Sequence, residues 1–224
     1  MNEQEVLDIL ARVGAVITDS HIVYTSGRHG QAYVNKDAIY PHTAATSRLC
    51  RAIAERFAVE DIQVVIGPTV GGVILSQWTA SHLSTMLGRE VISVYADKTR
   101  AAIDDEFNNI ITIRPPFHGF LHRKRILVVD DVLTTGGSVK KVVEATRAIG
   151  GDVIGLGALV NRGGVTAAAI GLGTGRLEAL VNLPLDSWDE EECSRIGPCS
   201  RGVPINTDVG KGREFLERRK RDGS

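Results

Sequence analysis

The stretch from Arg125 to Val139 combines residue types that bind phosphate with residue types that bind hydroxyls or a metal ion. An apolar segment leads into Asp130 and Asp131, and then into hydroxyl side chains and glycines that open a helical segment. Backbone N–H groups converge at such a turn, and the helix dipole favours an anion there. The sequence therefore predicts a phosphate site, called the phosphate cup below, formed by Thr134, Thr135, Gly136, Gly137 and Ser138.

Two carboxylates directly precede the phosphate cup. Because Asp130 and Asp131 would repel a phosphate, we expect them to face ribose hydroxyls or a hydrated Mg²⁺, both of which suit hard oxygen acceptors. The loop matches neither G-x-x-x-x-G-K-[ST] nor G-x-G-x-x-G, so the two common nucleotide-binding classes are not favoured. The alternative is that the acids merely end a strand and the glycines merely turn the chain.

The elements that must position these residues follow from the hydrophobic pattern. Beyond Asp61, short continuously apolar runs alternate with helical segments, which is typical of a parallel sheet covered by helices. We predict strands at 62–66, 91–95, 126–129, 153–160 and 177–183, and helices at 3–13, 41–57, 70–87, 138–149 and 166–170. The fold class is α/β, an open and mostly parallel sheet flanked by helices, with a small N-terminal hood. Ligands should bind beyond the carboxyl ends of the strands.

We divide the chain into an N-terminal helix and hood hairpin (1–40), an α/β core (41–185) and a C-terminal extension (186–224), which ends in a charged stretch expected to be a frayed surface helix. The 224 residues include 26 basic and 27 acidic side chains. With a net charge so close to zero, no overall positive potential attracts nucleic acid or an anionic membrane. The acidic, amphipathic N-terminus does not resemble a secretory signal, and the three cysteines favour a reducing, cytoplasmic setting.

The motif V-V-D-D-V-L-T-T-G-G-S resembles the signature of the type I phosphoribosyltransferases. The resemblance implies that the phosphate cup holds the 5-phosphate of phosphoribosyl pyrophosphate and that Asp130 and Asp131 bind its ribose hydroxyls. It also implies Mg²⁺ as cofactor, bound through pyrophosphate and water near the two acids without direct protein ligands. A homodimer is implied as well.

The segment 21–36 resembles the N-terminal hood of the orotate phosphoribosyltransferases, which folds over the base. The matching positions are Ser26, Gly27, Arg28, His29, Tyr33 and Lys36. Many orotate enzymes carry lysine at the position of Thr25. The threonine in this chain would suit a variant subgroup of the family. Alternatively, Arg28 and His29 are only solvated turn residues.

Two further segments resemble the pyrophosphate-binding loops of the same family. One is I-G-P-T-V-G-G, whose backbone N–H groups would bind the leaving group through Thr69, Val70, Gly71 and Gly72. The other is a polar stretch between strands that resembles the flexible catalytic loop, with Lys98 and Arg100 closing over pyrophosphate. It is followed by Pro115 and Pro116, where relatives often have Arg-Gly. Alternatively, the first loop is only a structural turn, and Lys98 is only a solvated surface lysine.

Arg162 follows the strand at 153–160 and resembles the arginine that orotate enzymes use for the pyrimidine carboxylate, a group that a guanidinium can bind with two hydrogen bonds. Many relatives have aspartate where Asn161 stands. In the C-terminal stretch, Cys193 and Cys199 alone cannot complete a zinc site, which would need two more thiols or imidazoles. We therefore expect free thiols or packing there.

The resemblance implies transfer of the phosphoribosyl group from phosphoribosyl pyrophosphate to orotate, a step of pyrimidine nucleotide biosynthesis. Lys98 and Arg100 would neutralise the leaving pyrophosphate, while Asp130 and Asp131 would stabilise the electron-poor ribose. The alternatives are a phosphoribosyltransferase for purine bases and a non-catalytic regulator that senses phosphoribosyl pyrophosphate. A regulator should carry a basic face or a DNA-reading domain. The sequence shows neither, apart from the short basic run R-E-F-L-E-R-R-K-R.

Overall fold

The computed structural model describes residues 1–24, 26–103, 106–183 and 186–222 of the chain, without the side chains of 99–103, 106–109 and 222. The chain forms two compact units. Residues 1–9 and 36–183 make up the first unit, and residues 10–35 and 184–224 make up the second. The second unit therefore contains both the hood hairpin and the C-terminal extension, which the sequence division placed in separate segments.

The helices are α1 (Glu3–Arg12), α2 (Thr43–Phe57), α3 (Gly71–Leu87), α4 (Pro115–Leu121), α5 (Gly137–Ala148), α6 (Glu190–Ile196) and α7 (Gly212–Asp222). The strands are β1 (Val16–Ile17), β2 (Ile22–Val23), β3 (His29–Gly30), β4 (Tyr33–Val34), β5 (Val64–Pro68), β6 (Ile92–Ile103), β7 (Glu106–Thr112), β8 (Arg125–Leu133), β9 (Asp152–Asn161), β10 (Arg176–Asn182) and β11 (Ser187–Trp188). Short 3₁₀ turns cover Lys36–Ala38 and Cys199–Arg201. Among the helices of the described residues, none has the length and apolar character needed to cross a bilayer.

The first unit is built on a six-stranded sheet in the order β10-β9-β8-β5-β6-β7. All neighbouring strands are parallel except β7, which pairs antiparallel with β6. Every residue of β5 is buried, as expected for a central strand covered on both faces. The predicted α/β class is confirmed, and the carboxyl ends of β5 and β8 are adjacent.

Two predicted segments of the first unit differ in the structure. The polar stretch after residue 95 is not a loop, because β6 continues to Ile103 and pairs with β7 from Asp97↔Thr112 to Ile103↔Glu106. The helix predicted at 166–170 is a series of turns, since so short a segment forms too few helical hydrogen bonds to offset nucleation. Pro115 and Pro116 open α4, where the missing N–H of proline costs nothing.

The second unit contains a three-stranded antiparallel sheet in the order β11-β3-β2 and a separate pair, β1 with β4. The predicted hood hairpin is present as β2 and β3, but Tyr33–Val34 pairs with Val16–Ile17 instead. The C-terminal extension adds β11 to the hairpin. Helix α7 lies at the surface, as predicted, and is anchored by Phe215, which is 6% exposed.

Candidate active site

A polar cavity of about 290 Å³ lies at the carboxyl ends of β5 and β8 in the first unit. Both ends face the same edge because the two strands are parallel neighbours. The lining residues include Lys36, Thr69, Gly71, Lys98, Asp130, Asp131 and the turn from Thr134 to Ser138. The structure thus brings the predicted phosphate cup, both acids and one predicted catalytic lysine to a single cavity.

The phosphate cup has the backbone geometry that its sequence requires. Gly136 has φ of 75° and precedes the first residue of α5, so the chain enters the helix through a left-handed residue. A Cβ at this position would lie 2.7 Å from Ile170 Cγ2, which leaves no room for a side chain. The N–H of Gly137 donates to Thr135 Oγ1 at 3.3 Å. The turn therefore presents the N-terminus of α5 to the cavity.

Asp131 is the more tightly held of the two acids. Its carboxylate accepts a short hydrogen bond from the Tyr40 hydroxyl and pairs with Lys36 Nζ at 3.4 Å. Burial and the Asp131 carboxylate raise the pKa of Tyr40, so the phenol keeps its proton as the donor. Burial alone would lower the pKa of Lys36, but Asp131 raises it overall. A methyl group on Gly71 would overlap both Asp131 and Tyr40, so the glycine is needed for this contact.

Asp130 lies next to Asp131 and has a different environment. Its Oδ1 accepts the N–H of Asp131 at 3.0 Å. Burial and the neighbouring Asp131 charge raise its pKa to about 7, against smaller opposing effects of that hydrogen bond, Lys36 and Lys98. Asp130 therefore changes charge near neutral pH, and a cationic ligand in the cavity would favour its ionised form.

Lys98 connects β6 to the phosphate cup. Its Nζ donates to Ser138 Oγ at 2.9 Å, and its backbone N–H donates to Thr69 Oγ1 at 2.7 Å. The backbone N–H of Thr69 donates to Ala96 O at 2.9 Å, so this N–H is paired within the protein. The N–H groups of Gly71 and Gly72 open α3, where they need no helical partner. Val70 precedes them and is 74% exposed.

Arg100 and Arg162 are the remaining predicted site residues of the first unit, and Asn161 is next to Arg162. Arg100 lies in β6 opposite Asn109, and its side chain is outside the described part. Arg162 directly follows β9 and donates its backbone N–H to Leu133 O at 2.9 Å. Asn161 is buried, and its amide makes two 2.9 Å hydrogen bonds with the backbone of Val165. The Asn161 side chain therefore closes the loop that follows β9.

The predicted hood residues belong to the second unit, except Lys36. Arg28 Nε donates to Ser187 Oγ at 3.0 Å, and its backbone N–H donates to Ser26 Oγ at 3.4 Å. His29 is fully buried, with Nδ1 2.8 Å from His21 Nε2, so it is not a solvated turn residue. Tyr33 pairs with Ile17 in the β1–β4 ladder. Thr25, the departure noted above, lies outside the described residues.

Comparison with known proteins identifies the family. The family model described as "Phosphoribosyl transferase domain" matches residues 35–169. The orotate phosphoribosyltransferase of Pelotomaculum thermopropionicum is 37% identical over 91% of this chain and 95% of the relative, and that of Desulforamulus reducens is 33% identical over the same shares. The chain belongs to the orotate phosphoribosyltransferase family. A solved Mycobacterium tuberculosis orotate phosphoribosyltransferase, in complex with phosphoribosyl pyrophosphate, has a TM-score of 0.59 and 23% identity over 81% of this chain and 96% of that one. This likeness shows the shared fold.

In this orotate phosphoribosyltransferase fold, the sequence did not predict the role of Tyr40 as a partner of the cavity residue Asp131. Its hydroxyl binds Asp131 across 91 residues of sequence, and a lone tyrosine before a proline carries no motif. Tyr40 lies four residues after Lys36, and both side chains contact the Asp131 carboxylate, which only the structure shows. The chain between them begins with the 3₁₀ turn Lys36–Ala38, which includes Lys36 itself.

Proposed function

We propose that this protein transfers the 5-phosphoribosyl group of phosphoribosyl pyrophosphate to orotate, giving orotidine 5′-monophosphate and pyrophosphate. The observation that carries the proposal is the cavity in which the N-terminus of α5 and the carboxylates of Asp130 and Asp131 face the same space. An anion site beside two acids suits a ligand with a phosphate at one end and hydroxyls next to it. The names of the relatives supply orotate as the base.

The phosphate cup would bind the 5-phosphate through backbone N–H groups and the hydroxyls of Thr134, Thr135 and Ser138. Asp130 and Asp131 would then accept hydrogen bonds from the ribose hydroxyls. Tyr40 and Lys36 hold Asp131 in one orientation, so this acceptor is positioned before substrate arrives. Such preorganisation lowers the cost of ordering the site during the reaction.

Orotate enters the site as a carboxylate anion, and its reacting ring nitrogen still carries a proton. The bond from C1 of the ribose to pyrophosphate breaks, a bond from C1 to that ring nitrogen forms, and the ring N–H proton passes to water or to the released pyrophosphate. Catalysis would come from positioning and from neutralising the charge that develops on pyrophosphate. Lys98 donates to Ser138 at the edge of the phosphate cup and would supply that positive charge, with Arg100 as a second cation. Arg162 would bind the orotate carboxylate.

Mg²⁺ is the cofactor we expect, and the donor set fits it. The carboxylates of Asp130 and Asp131 are hard oxygen donors that line the cavity. Asp131 is already paired with Lys36 and Tyr40. Asp130 would therefore be the better hydrogen-bond acceptor for a water molecule bound to Mg²⁺. When bound, Mg²⁺ would reduce the negative charge of pyrophosphate. The homodimer and the cytoplasmic location stay predictions of the family resemblance.

The test is the loss of orotate absorbance after phosphoribosyl pyrophosphate and Mg²⁺ are added to the purified protein. Adenine, hypoxanthine, guanine and uracil run in parallel. Turnover of orotate alone supports the proposal, and turnover of a purine instead would replace orotate as the substrate. Tight binding of phosphoribosyl pyrophosphate without turnover of any base would indicate the regulator.

A further inference from the structure

A cluster of two imidazoles and two thiols lies in the second unit, which does not contain the cavity described above. It consists of His21, His29, Cys193 and Cys199, and one ligand atom from each lies within 4.8 Å of all the others. Three of the side chains are buried and Cys199 is partly buried. We propose that these four residues, called the His–Cys cluster below, bind a structural Zn²⁺ ion.

The distances within the cluster match a tetrahedral zinc site. Zinc binds sulfur at about 2.3 Å and nitrogen at about 2.0–2.1 Å, which places the ligand atoms of a tetrahedron about 3.3–3.8 Å apart. Cys199 Sγ lies 3.5 Å from both His21 Nε2 and His29 Nδ1, and Cys193 Sγ lies 3.8 Å from His21 Nε2. The two nitrogens are 2.8 Å apart, so they would separate by roughly 0.5 Å around the ion.

Hydrogen bonds from the surroundings orient two of the ligands, His21 and Cys193. His21 Nδ1 lies 2.9 Å from Val203 O, so this nitrogen carries the proton and Nε2 keeps its lone pair for the cluster. A metal-bound histidine commonly donates its other ring N–H in this way. Cys193 Sγ accepts the backbone N–H of Cys199 at 3.3 Å, a hydrogen bond that would stabilise a thiolate. The His29 ring is oriented by an edge contact with Phe215, with ring centroids 4.8 Å apart.

The four ligands come from different parts of the chain. His29 lies in β3 and His21 precedes β2, whereas Cys193 lies in α6 and Cys199 in the following 3₁₀ turn. Helix α6 begins with a capping box formed by Asp189 and Glu192, which fixes the turn that presents Cys193. The backbone of Gly197 lies so close to Cys193 that a Cβ on Gly197 would be 2.8 Å from Cys193 Sγ.

The donor types select the metal and its role. Two sulfurs and two nitrogens suit zinc, whereas Mg²⁺ requires oxygen ligands. Four protein ligands complete a tetrahedron and leave no position for substrate, which is typical of a structural site. A bound ion would join the hood hairpin to the C-terminal extension. A small unit made from two separate chain segments gains stability from such a link, because the ion binds the folded site and not the unfolded chain.

The first experiment measures the metal in the full-length protein after expression in zinc-supplemented medium. We expect elemental mass spectrometry to find about one zinc ion per chain, as for a structural site with four protein ligands. After chelation under mild denaturation and refolding, Co²⁺ should give the intense visible bands of tetrahedral geometry and a thiolate-to-cobalt charge-transfer band. A chain without zinc that also fails to produce these Co²⁺ bands would overturn the proposal.

Variants then locate the ion. Cys193→Ala and Cys199→Ala should each lose zinc and the charge-transfer band, and chelation should lower the melting temperature of the wild-type protein but not of these variants. Cys50→Ala is the matched control, because Cys50 is also a buried cysteine but lies in α2 of the first unit. It should retain zinc. Zinc that persists in both cluster variants, or is lost equally from Cys50→Ala, would refute the assignment.

Discussion

Two neighbouring aspartates of the same sequence motif have different environments. Asp131 is 3% exposed and is held by Tyr40 and Lys36. Asp130 has its pKa raised to about 7 by burial and by the Asp131 charge. The motif alone could predict that two acids face the ligand, because they are contiguous with the phosphate cup. It could not predict the division of roles, since that depends on Tyr40, which is 91 residues away in sequence.

Replacing Lys98 by alanine should slow the reaction much more than it weakens substrate binding. The lysine is expected to neutralise charge that appears on the leaving group, and loss of one such stabilising group costs about 100- to 1,000-fold in kcat. Steady-state kinetics with orotate and phosphoribosyl pyrophosphate measures kcat and KM separately. Lys140→Ala, an exposed lysine on α5, is the control. An unchanged kcat in Lys98→Ala would exclude the predicted role.

Replacing Asp130 by asparagine should make the folded protein less sensitive to rising pH. An aspartate whose folded pKa is raised from 3.8 to about 7 binds more protons folded than unfolded, so its contribution becomes less favourable as the pH rises through that window. The variant should be roughly 1–4 kcal/mol more stable than wild type above pH 7, and this advantage should largely disappear as the pH falls to about 4.

Thermal unfolding between about pH 4 and pH 9 measures this difference. Glu90→Gln, which neutralises an exposed carboxylate, is the control and should show no comparable trend. If the melting-temperature difference between Asp130→Asn and wild type is the same at every pH, Asp130 is not the titrating group.

Among the elements, local patterns predicted the parts that depend on contiguous residues. The buried strands and the turn into α5 were predictable because apolar runs, acids and glycines follow one another without interruption. The hairpin of β6 and β7 was mistaken for a loop because its far strand forms the edge of the sheet, where polar residues are tolerated in strands. The His–Cys cluster was missed because its histidines and cysteines are up to 178 residues apart.

The backbone of the phosphate cup should not tolerate a side chain at Gly136. Gly136→Ala combines an unfavourable positive φ with a Cβ only 2.7 Å from Ile170, so we expect a loss of about 2–3 kcal/mol in unfolding free energy and weaker binding of phosphoribosyl pyrophosphate. Gly173→Ala is the control, because Gly173 has φ of 66° but no atom within 4 Å of its Cβ. It should cost about 1 kcal/mol.

Urea denaturation and titration calorimetry measure the two effects. Equal losses of stability in both variants would mean that only the backbone conformation matters and that the contact with Ile170 does not. Unchanged affinity for phosphoribosyl pyrophosphate in Gly136→Ala would place the 5-phosphate elsewhere in the cavity.

At the scale of the whole molecule, each of the two units combines distant segments of the chain. The first unit carries the cavity, and the second combines the hood hairpin with the C-terminal extension. Composition and motifs predicted the α/β core and the family. They did not predict that residues 10–35 and 184–224 form one unit, because the strand pairing of β3 with β11 leaves no local pattern.

The family resemblance predicts a homodimer. Sedimentation equilibrium should show a species of about twice the 24.1 kDa chain mass at micromolar concentrations. Activity per chain should fall on dilution below the dimer dissociation constant if the dimer is the active form. A monomer that keeps full activity would contradict this prediction.

The central claim is that the chain couples cleavage of phosphoribosyl pyrophosphate to glycosylation of orotate. The most direct measurement follows orotate consumption and pyrophosphate release in the same reaction, with Mg²⁺ present. We predict equal amounts of both, with orotidine 5′-monophosphate as the product and no release of pyrophosphate when orotate is omitted. Release of pyrophosphate without orotate, or only with a purine base, would contradict the account.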